Sequence, residues 1–229
     1  MYAQAYFDYD SKKSGGVTIS HLRFGKSPIK STYLINKANF VACHNPAYVW
    51  KYNMVQDLVD GGSFLLNCPW TQEELETELP GQVKKYIADH NINLYTIDGI
   101  KIGKEIGLGN RINTILQAAF FKIADIIPSE DAVKFMKDAA TKTYGRKGEE
   151  IVKMNHNAID AGTTQFHKME VPESWKNCEA QPLGEQIGDG REDAVKFVKN
   201  IQAVVNAQEG NKLPVSAFVD YVDGTTPSG

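Results

Sequence analysis

At 229 residues, 42% apolar and 10% aromatic, the chain carries enough hydrophobic side chain for one large domain, or a domain with an extension, and too much for intrinsic disorder. A formal charge of −3 gives no global attraction for nucleic acid, so any anion site has to be local. No apolar run approaches the ~20 residues of a membrane span, and Met1 to Asp10 has neither the basic region nor the apolar core of a signal peptide.

In chain order, Ala3 to Tyr9 and Val17 to Phe24 are rich in aromatic and β-branched residues and read as strands. Asn39 to Cys43, Ser63 to Leu66 and Leu94 to Ile97 are short apolar runs without polar alternation, the pattern of strands covered on both faces of a parallel sheet; Leu94 to Ile97 reads as the last strand. Thr71 with Glu74 makes a capping box, after which Leu75, Leu79, Val83 and Ile87 recur every four residues. Pro80 divides this stretch into two helices and is expected at the first position of the second.

Beyond Ile97 the pattern is helical. Gly107-Leu108-Gly109 interrupts it, and Ile112, Ile115, Leu116, Ala119, Phe120 and Ile123 then form a wide apolar stripe, a core signal more often than a cofactor pocket. Ser129 is expected to cap a helix that has Glu130 and Asp131 in its first turn, Ala132, Val133, Met136, Ala139 and Ala140 on its inner face, and Gly145 at its end. A further helix is expected over 150–161. Strand–helix alternation predicts an α/β fold, a three-layer α/β/α domain with a mainly parallel sheet over 1–170, and a loop-rich extension over 171–229 with one helix near 194–207. The ending DGTTPSG has linker composition, so the chain reads as a piece of something longer.

The chemistry concentrates in DSKKSGG. Gly15 and Gly16 let an anion approach main-chain N–H groups, Lys12 and Lys13 supply positive charge, and Ser11 and Ser14 supply hydroxyl donors, a set suited to a phosphate-bearing ligand; a solvated surface turn is the bland alternative. GLGNRIN is a second glycine turn at an element end, opening a helix whose free N–H groups suit phosphate. There Asn110 can donate and accept, while Arg111 is as readily a salt bridge or a subunit contact.

Other motifs fall short. Gly188-Asp189-Gly190 imitates the start of a thiamine diphosphate motif, but a polar PLGEQI precedes it and no Asn pair follows. The glycines from Gly103 to Gly109 do not follow a strand with dinucleotide spacing. Cys43, Cys68 and Cys178 lack the close pairing of metal or iron–sulfur ligands, and Cys43 and Cys68 read as small buried hydrophobes. An odd cysteine count with no signal peptide points to a reducing cytoplasm. His21, in a strand, and His44, at a strand end, read as structural histidines before acid–base groups.

The stretches DSKKSGGVTISHLRFGKSPIKSTYLI, GLGNRINTILQAAFFKIADIIP and PVSAFVDYVDGTTPSG resemble the single-chain pyruvate:ferredoxin (flavodoxin) oxidoreductases, in the region called domain III, equivalent to a gamma subunit elsewhere. The resemblance runs in order through essentially the whole chain. It implies a gamma-type α/β domain that holds coenzyme A as co-substrate, with Lys12, Lys13, Ser14, Asn110 and Arg111 as contacts and Lys13 foremost among them. Thiamine diphosphate, Mg and 4Fe–4S clusters are implied for other domains of the full enzyme, which passes electrons to ferredoxin or flavodoxin. The implied partners are those other domains in a homodimer, with no nucleic acid and no membrane. The family's glycine-rich βα unit upstream of Tyr2 is absent, so the chain alone is expected to be inactive and its coenzyme A site incomplete. Two alternatives stay open. One is a structural domain bracing the dimer through the 112–123 stripe and the tail; the other is the equivalent domain of an oxidoreductase for a different 2-oxoacid.

Overall fold

The computed structural model describes residues 1–10, 16–31, 34–184 and 187–227. Strands β1 (Tyr2–Tyr9) and β2 (Thr18–Gly25) pair antiparallel from Tyr2 opposite Gly25 to Tyr9 opposite Thr18, and the Asp10 N–H extends the ladder to the Val17 carbonyl. They form a two-stranded sheet of their own, apart from the main one. A lone hairpin is marginal in water, and aromatic packing secures its base: the Phe24 ring lies 6.1 Å from that of Phe120 and 6.4 Å from that of Phe121.

The main sheet holds β3 (Ala38–Cys43), β4 (Leu58–Asn67), β5 (Asn93–Ile97) and β6 (His167–Lys168) in that spatial order, the first three parallel and β6 antiparallel to β5. Phe64, Leu65 and Leu66 of β4 show why the apolar runs do not alternate. Phe64 and Leu66 enter a core on one face with Leu94, while Leu65 enters a second core on the other. A central strand must be apolar on both sides. The expectation that Leu94 to Ile97 is the last strand is corrected by β6, a two-residue polar edge too short to show periodicity.

One face is covered by α1 (Leu75–Glu78) and α2 (Gly81–Asp89), the other by α3 (Gly99–Ile106), α4 (Asn113–Ala124) and α6 (Glu149–Thr164), with α5 (Ser129–Tyr144) packed on α4 and α6. The fold is the three-layer α/β/α arrangement expected. The capping box forms reciprocally ahead of α1: Thr71 N–H donates to Glu74 Oε2 at 2.8 Å and Glu74 N–H to Thr71 Oγ1 at 3.3 Å. Pro80 stands one position earlier than expected, as the cap of α2 with extended ψ of 146°, and Gly81 opens the helix. Only glycine fits there, because a Cβ would collide with the Glu179 carbonyl. Ser129 is likewise the first helical residue, with Pro128 as cap and no side-chain capping bond.

The 112–123 stripe is consumed by the chain's own core. Ile115, Leu116 and Ala119 are buried against α3 and α6, with Ile112 and Ile123 packed beside them, so it is not the interface of the bracing alternative. After β6 the chain crosses back over the α1–α2 face. There Trp175, 1% exposed, fills the first core and donates its indole N–H to Glu76 Oε1 at 2.8 Å. Gln72 and Glu170 bond both ways through side-chain amide and main chain, and the Gln181 N–H donates to Gln82 Oε1. The expected tail helix runs as α7 (Glu192–Phe197), a π turn over Val198–Gln202, and α8 (Ala203–Asn206). Phe197 packs on Tyr221 at 5.0 Å between ring centres.

The closest helix packing is at Gly162 of α6, where a Cβ would collide with the Ile115 carbonyl of α4. Gly162→Ala gains about 1 kcal/mol of helix propensity, but main chain cannot retreat as a side chain can, and overpacking costs about 1–3 kcal/mol. The variant is expected to melt at lower temperature than the parent by scanning calorimetry, and an unchanged or raised Tm would refute this account of the α4–α6 contact.

Candidate functional site

β3, β4 and β5 all end at the same edge of the sheet, at Cys43, Asn67 and Ile97. Asn67 is buried there and joins two loops. Its Nδ2 donates to the His44 carbonyl at 2.9 Å, and its Oδ1 accepts from the Gly99 N–H at 2.9 Å. This holds the exit of β3 against the start of α3. Asp98 caps α3 by accepting the Lys101 N–H at 2.9 Å. Around these groups lies a crevice of about 470 Å³ bordered by Pro46, Asn67, Cys68, Asp98, Lys101 and Lys104. The carboxyl edge is where open α/β sheets bind ligands, and here Lys101 in the first turn of α3 and Lys104 in its last border the crevice together with Asp98 and Glu105.

The GLGNRIN turn reaches the same edge from the other side. Gly107, at φ 91°, ends α3, and Gly109, at φ 60°, takes the chain back toward the sheet, so both need the left-handed backbone that glycine tolerates. Ile112 then comes within 3.5 Å of where a Cβ on Gly99 would stand, which puts the start of α4 over the end of β5. Asn110 and Arg111 are exposed on this turn. Arg111 Nε donates to the Leu108 carbonyl at 3.2 Å, while the Asn110 carboxamide has no partner among the described residues. No side chain caps α4 at its start, so the turn presents main-chain N–H groups together with an amide able to donate and accept.

Lys12, Lys13 and Ser14 lie outside the described residues. The strand ends that flank them are described: desolvation first, and the charge of Asp10 second, push the Tyr52 phenol up, which puts the hairpin end near the Tyr48–Tyr52 aromatic pair. Asn67, Asp98 and Lys101 went unremarked in the sequence; the available signal was a polar asparagine closing an otherwise apolar run, FLLN, ahead of Cys-Pro.

Cys43 and Cys68 are buried and poor nucleophiles. Burial pushes Cys43 up to about 12 and Cys68 up to about 11, each only partly offset by a backbone hydrogen bond. Desolvation lowers the His44 imidazole, although part of that side chain meets solvent. Gly188-Asp189-Gly190 is exposed, and the described residues on either side, 181–184 and 187–191, form no strand. Among the described residues no group of three or more His, Cys, Asp or Glu could hold a metal ion, and no helix is long and apolar enough to cross a membrane.

A three-layer α/β domain with a crevice and a glycine turn at the carboxyl edge of its sheet is the class of molecule these features define. The chain belongs to the pyruvate ferredoxin/flavodoxin oxidoreductase family, whose model matches residues 1–165; a second model, described as a domain of unknown function (EKR), matches residues 186–229. It is 48% identical over 229 residues to the pyruvate:ferredoxin oxidoreductase of Moorella thermoacetica, and 48% identical over the same length to the pyruvate-flavodoxin oxidoreductase of Enterobacter agglomerans. In both cases all of this chain is covered but only 19% of the relative, so the chain spans about a fifth of their length. Its fold is similar to that of the solved pyruvate oxidoreductase subunit PORC from Thermotoga maritima, with a TM-score of 0.57 at 16% identity, covering 74% of this chain and 82% of that one.

Two outcomes follow from the geometry. Asn67→Ala removes both bonds and strands the buried Gly99 N–H, so it is expected to cost about 2–3 kcal/mol, read as a lower urea midpoint with unchanged slope. For the thiols, a neutral-pH disulfide reagent is expected to modify Cys178, which is partly accessible, well before Cys43 and Cys68, with all three reacting only after denaturation; rapid native labelling of Cys43 or Cys68 would contradict their burial.

Proposed function

We propose that this chain is the coenzyme A-binding domain of an enzyme that oxidatively decarboxylates pyruvate, with thiamine diphosphate and 4Fe–4S chemistry supplied by other parts of a longer polypeptide. The observation that carries the proposal is identity of 48% over the full 229 residues with a pyruvate:ferredoxin and a pyruvate-flavodoxin oxidoreductase. The relatives named for ferredoxin and for flavodoxin are equally similar to it, so this part of the molecule does not choose the electron acceptor. What it contributes is a function common to both.

The donor set fits a coenzyme built from phosphates, a nucleoside and an amide-bearing arm. Lys12, Lys13 and Ser14 would meet phosphate oxygens with charge-assisted bonds, stronger than neutral ones. Asn110 would meet an amide or adenine edge, with Arg111 beside it on the same turn. None of these groups moves a proton or attacks a carbon. Their task is to hold the thiol carrier while the acetyl group is transferred elsewhere. The residues do not fit thiamine diphosphate or an iron–sulfur cluster: the three cysteines are dispersed and the Gly188-Asp189-Gly190 loop lacks its structural context. On this reading residues 1–170 form the gamma-type domain, and 171–229 run on toward the neighbouring parts of the enzyme, which acts in the cytoplasm as a homodimer.

A bracing role is a second reading, favoured by exposed apolar side chains at Phe7, Tyr9 and Leu22 on the hairpin and at Val215, Val219 and Val222 in the tail. The two are separable by kinetics. In the full-length enzyme, Lys13→Ala is expected to raise the KM for coenzyme A about tenfold to a hundredfold, the effect of one lost charge-assisted bond, and Asn110→Ala to raise it less, while the KM for pyruvate stays put. A coenzyme A dependence unaltered in both variants would leave the bracing role as the surviving reading.

A further inference from the structure

The two edges of the main sheet are unlike. At one, β6 is two residues long, polar and exposed, which leaves little for another strand to pair with. At the other, β3 is six residues long and holds no charged residue and no proline, the devices that keep an edge strand from pairing further. Its side chains also serve both faces of the sheet. Val41 and Cys43 belong with the first core, while Phe40 and Ala42 pack against the second. That is the pattern of an interior strand, as in β4.

Only β4 pairs with β3. In such a ladder alternate residues turn their N–H and C=O toward the neighbour, and those between turn them away. No described residue bonds the outward main-chain groups of Asn39 to Cys43. Phe40, Val41 and Ala42 are only partly buried, whereas Phe64, Leu65 and Leu66 beside them on β4 are fully so. The chain's own hairpin comes close without closing this edge. Phe24 of β2 and Phe40 of β3 both pack on the Phe120 ring, at 6.1 and 5.0 Å between ring centres, yet β1 and β2 form a separate sheet and no ladder joins them to β3.

An edge of this kind suits one class of partner, an extended strand with apolar side chains on both sides. Its main chain takes up the outward groups of β3, and its alternate side chains continue the two cores past Phe40 and Val41. Such a strand is insoluble by itself and has to belong to a folded body or to the same chain. This chain covers only 19% of the relatives' length, so most of a polypeptide like theirs lies outside it, and a tethered segment reaches an effective concentration of about millimolar. We propose that the open edge of β3 is completed by a β-strand from a part of the longer polypeptide outside these 229 residues, which turns β3 from an edge strand into an interior one. This rests on the reading of the chain as part of a longer polypeptide.

The test is made on the full-length enzyme. Hydrogen exchange of the unmodified protein, read residue by residue by mass spectrometry, is expected to find every amide from Asn39 to Cys43 slow, within about tenfold of the β4 amides. An open edge would instead leave about half of them exchanging fast. With the photoreactive amino acid benzoylphenylalanine in place of the exposed Asn39, irradiation is expected to join position 39 to a residue of the same polypeptide beyond these 229. Alternate fast amides in the unmodified enzyme would overturn the proposal, and that result needs no variant to fold. So would a cross-link between two polypeptides, which makes a second copy the occupant, a cross-link to β1 or β2, which makes it the chain's own hairpin, or no cross-link at all. A native polypeptide found by intact mass to be no longer than these 229 residues would sink the reading on which the proposal rests, whereas a longer one with an open β3 sinks the proposal alone.

Discussion

The structure depends on β4 being apolar on both faces and polar at its end. Phe64 and Leu66 belong to one core and Leu65 to the other, so the two helical layers are organised around one three-residue run. No alternation is available to such a strand, and a shift in register by one residue would exchange the two cores. Asn67 ends the run, and its two hydrogen bonds turn the end of the sheet into a fixed junction between the exit of β3 and the entry of α3. The carboxyl-edge crevice exists because that junction holds its walls.

The functional reading follows from this edge. Ligands of open α/β sheets collect where loops leave the carboxyl ends of strands, and the GLGNRIN turn is brought there by the left-handed conformations of Gly107 and Gly109. The relatives are about five times longer than this chain, which covers 19% of their length. On the proposed coenzyme A reading, binding energy would come from a few polar contacts on turns, with the scaffold taking no part in bond making. The hairpin stands outside the main sheet, with Phe24 packed on Phe120 and Phe121 and His21 accepting the Ile35 N–H.

The extension after β6 is less independent than its composition suggests. Trp175 supplies a wall of the first core, and the paired bonds of Gln72 with Glu170, the Gln181 N–H to Gln82 Oε1 and the Gly81 N–H to Gln181 Oε1 lace 170–181 over α1 and α2. Gly81 is a glycine because the Glu179 carbonyl passes where a Cβ would be. Beyond residue 187 the chain forms its own small unit, with the π turn in its helix and Phe197 against Tyr221. The two family models fall on either side of this laced segment, at 1–165 and 186–229.

Local chemistry was enough to read most elements from the sequence. The unalternating apolar runs declared a two-sided sheet, the Thr71–Glu74 box opened a helix, Gly107 closed one, and the long quoted motifs carried the family. Exact caps were less legible: Pro80 and Ser129 are each displaced by one position, since neighbouring residues satisfy the same local rules and only packing chooses among them. The two residues of β6 carried no period at all. Asn67, His21 and Trp175 draw their meaning from partners 14 to 99 residues away in the chain, and no local pattern encodes such pairings. Sequence by itself determined the layers, the GLGNRIN turn and the kinship of the chain. Tertiary structure decided which asparagine joins the loops, which histidine accepts the Ile35 N–H and which tryptophan completes the core, because a buried polar or bulky group is defined by what surrounds it in space, and chain order leaves those surroundings open.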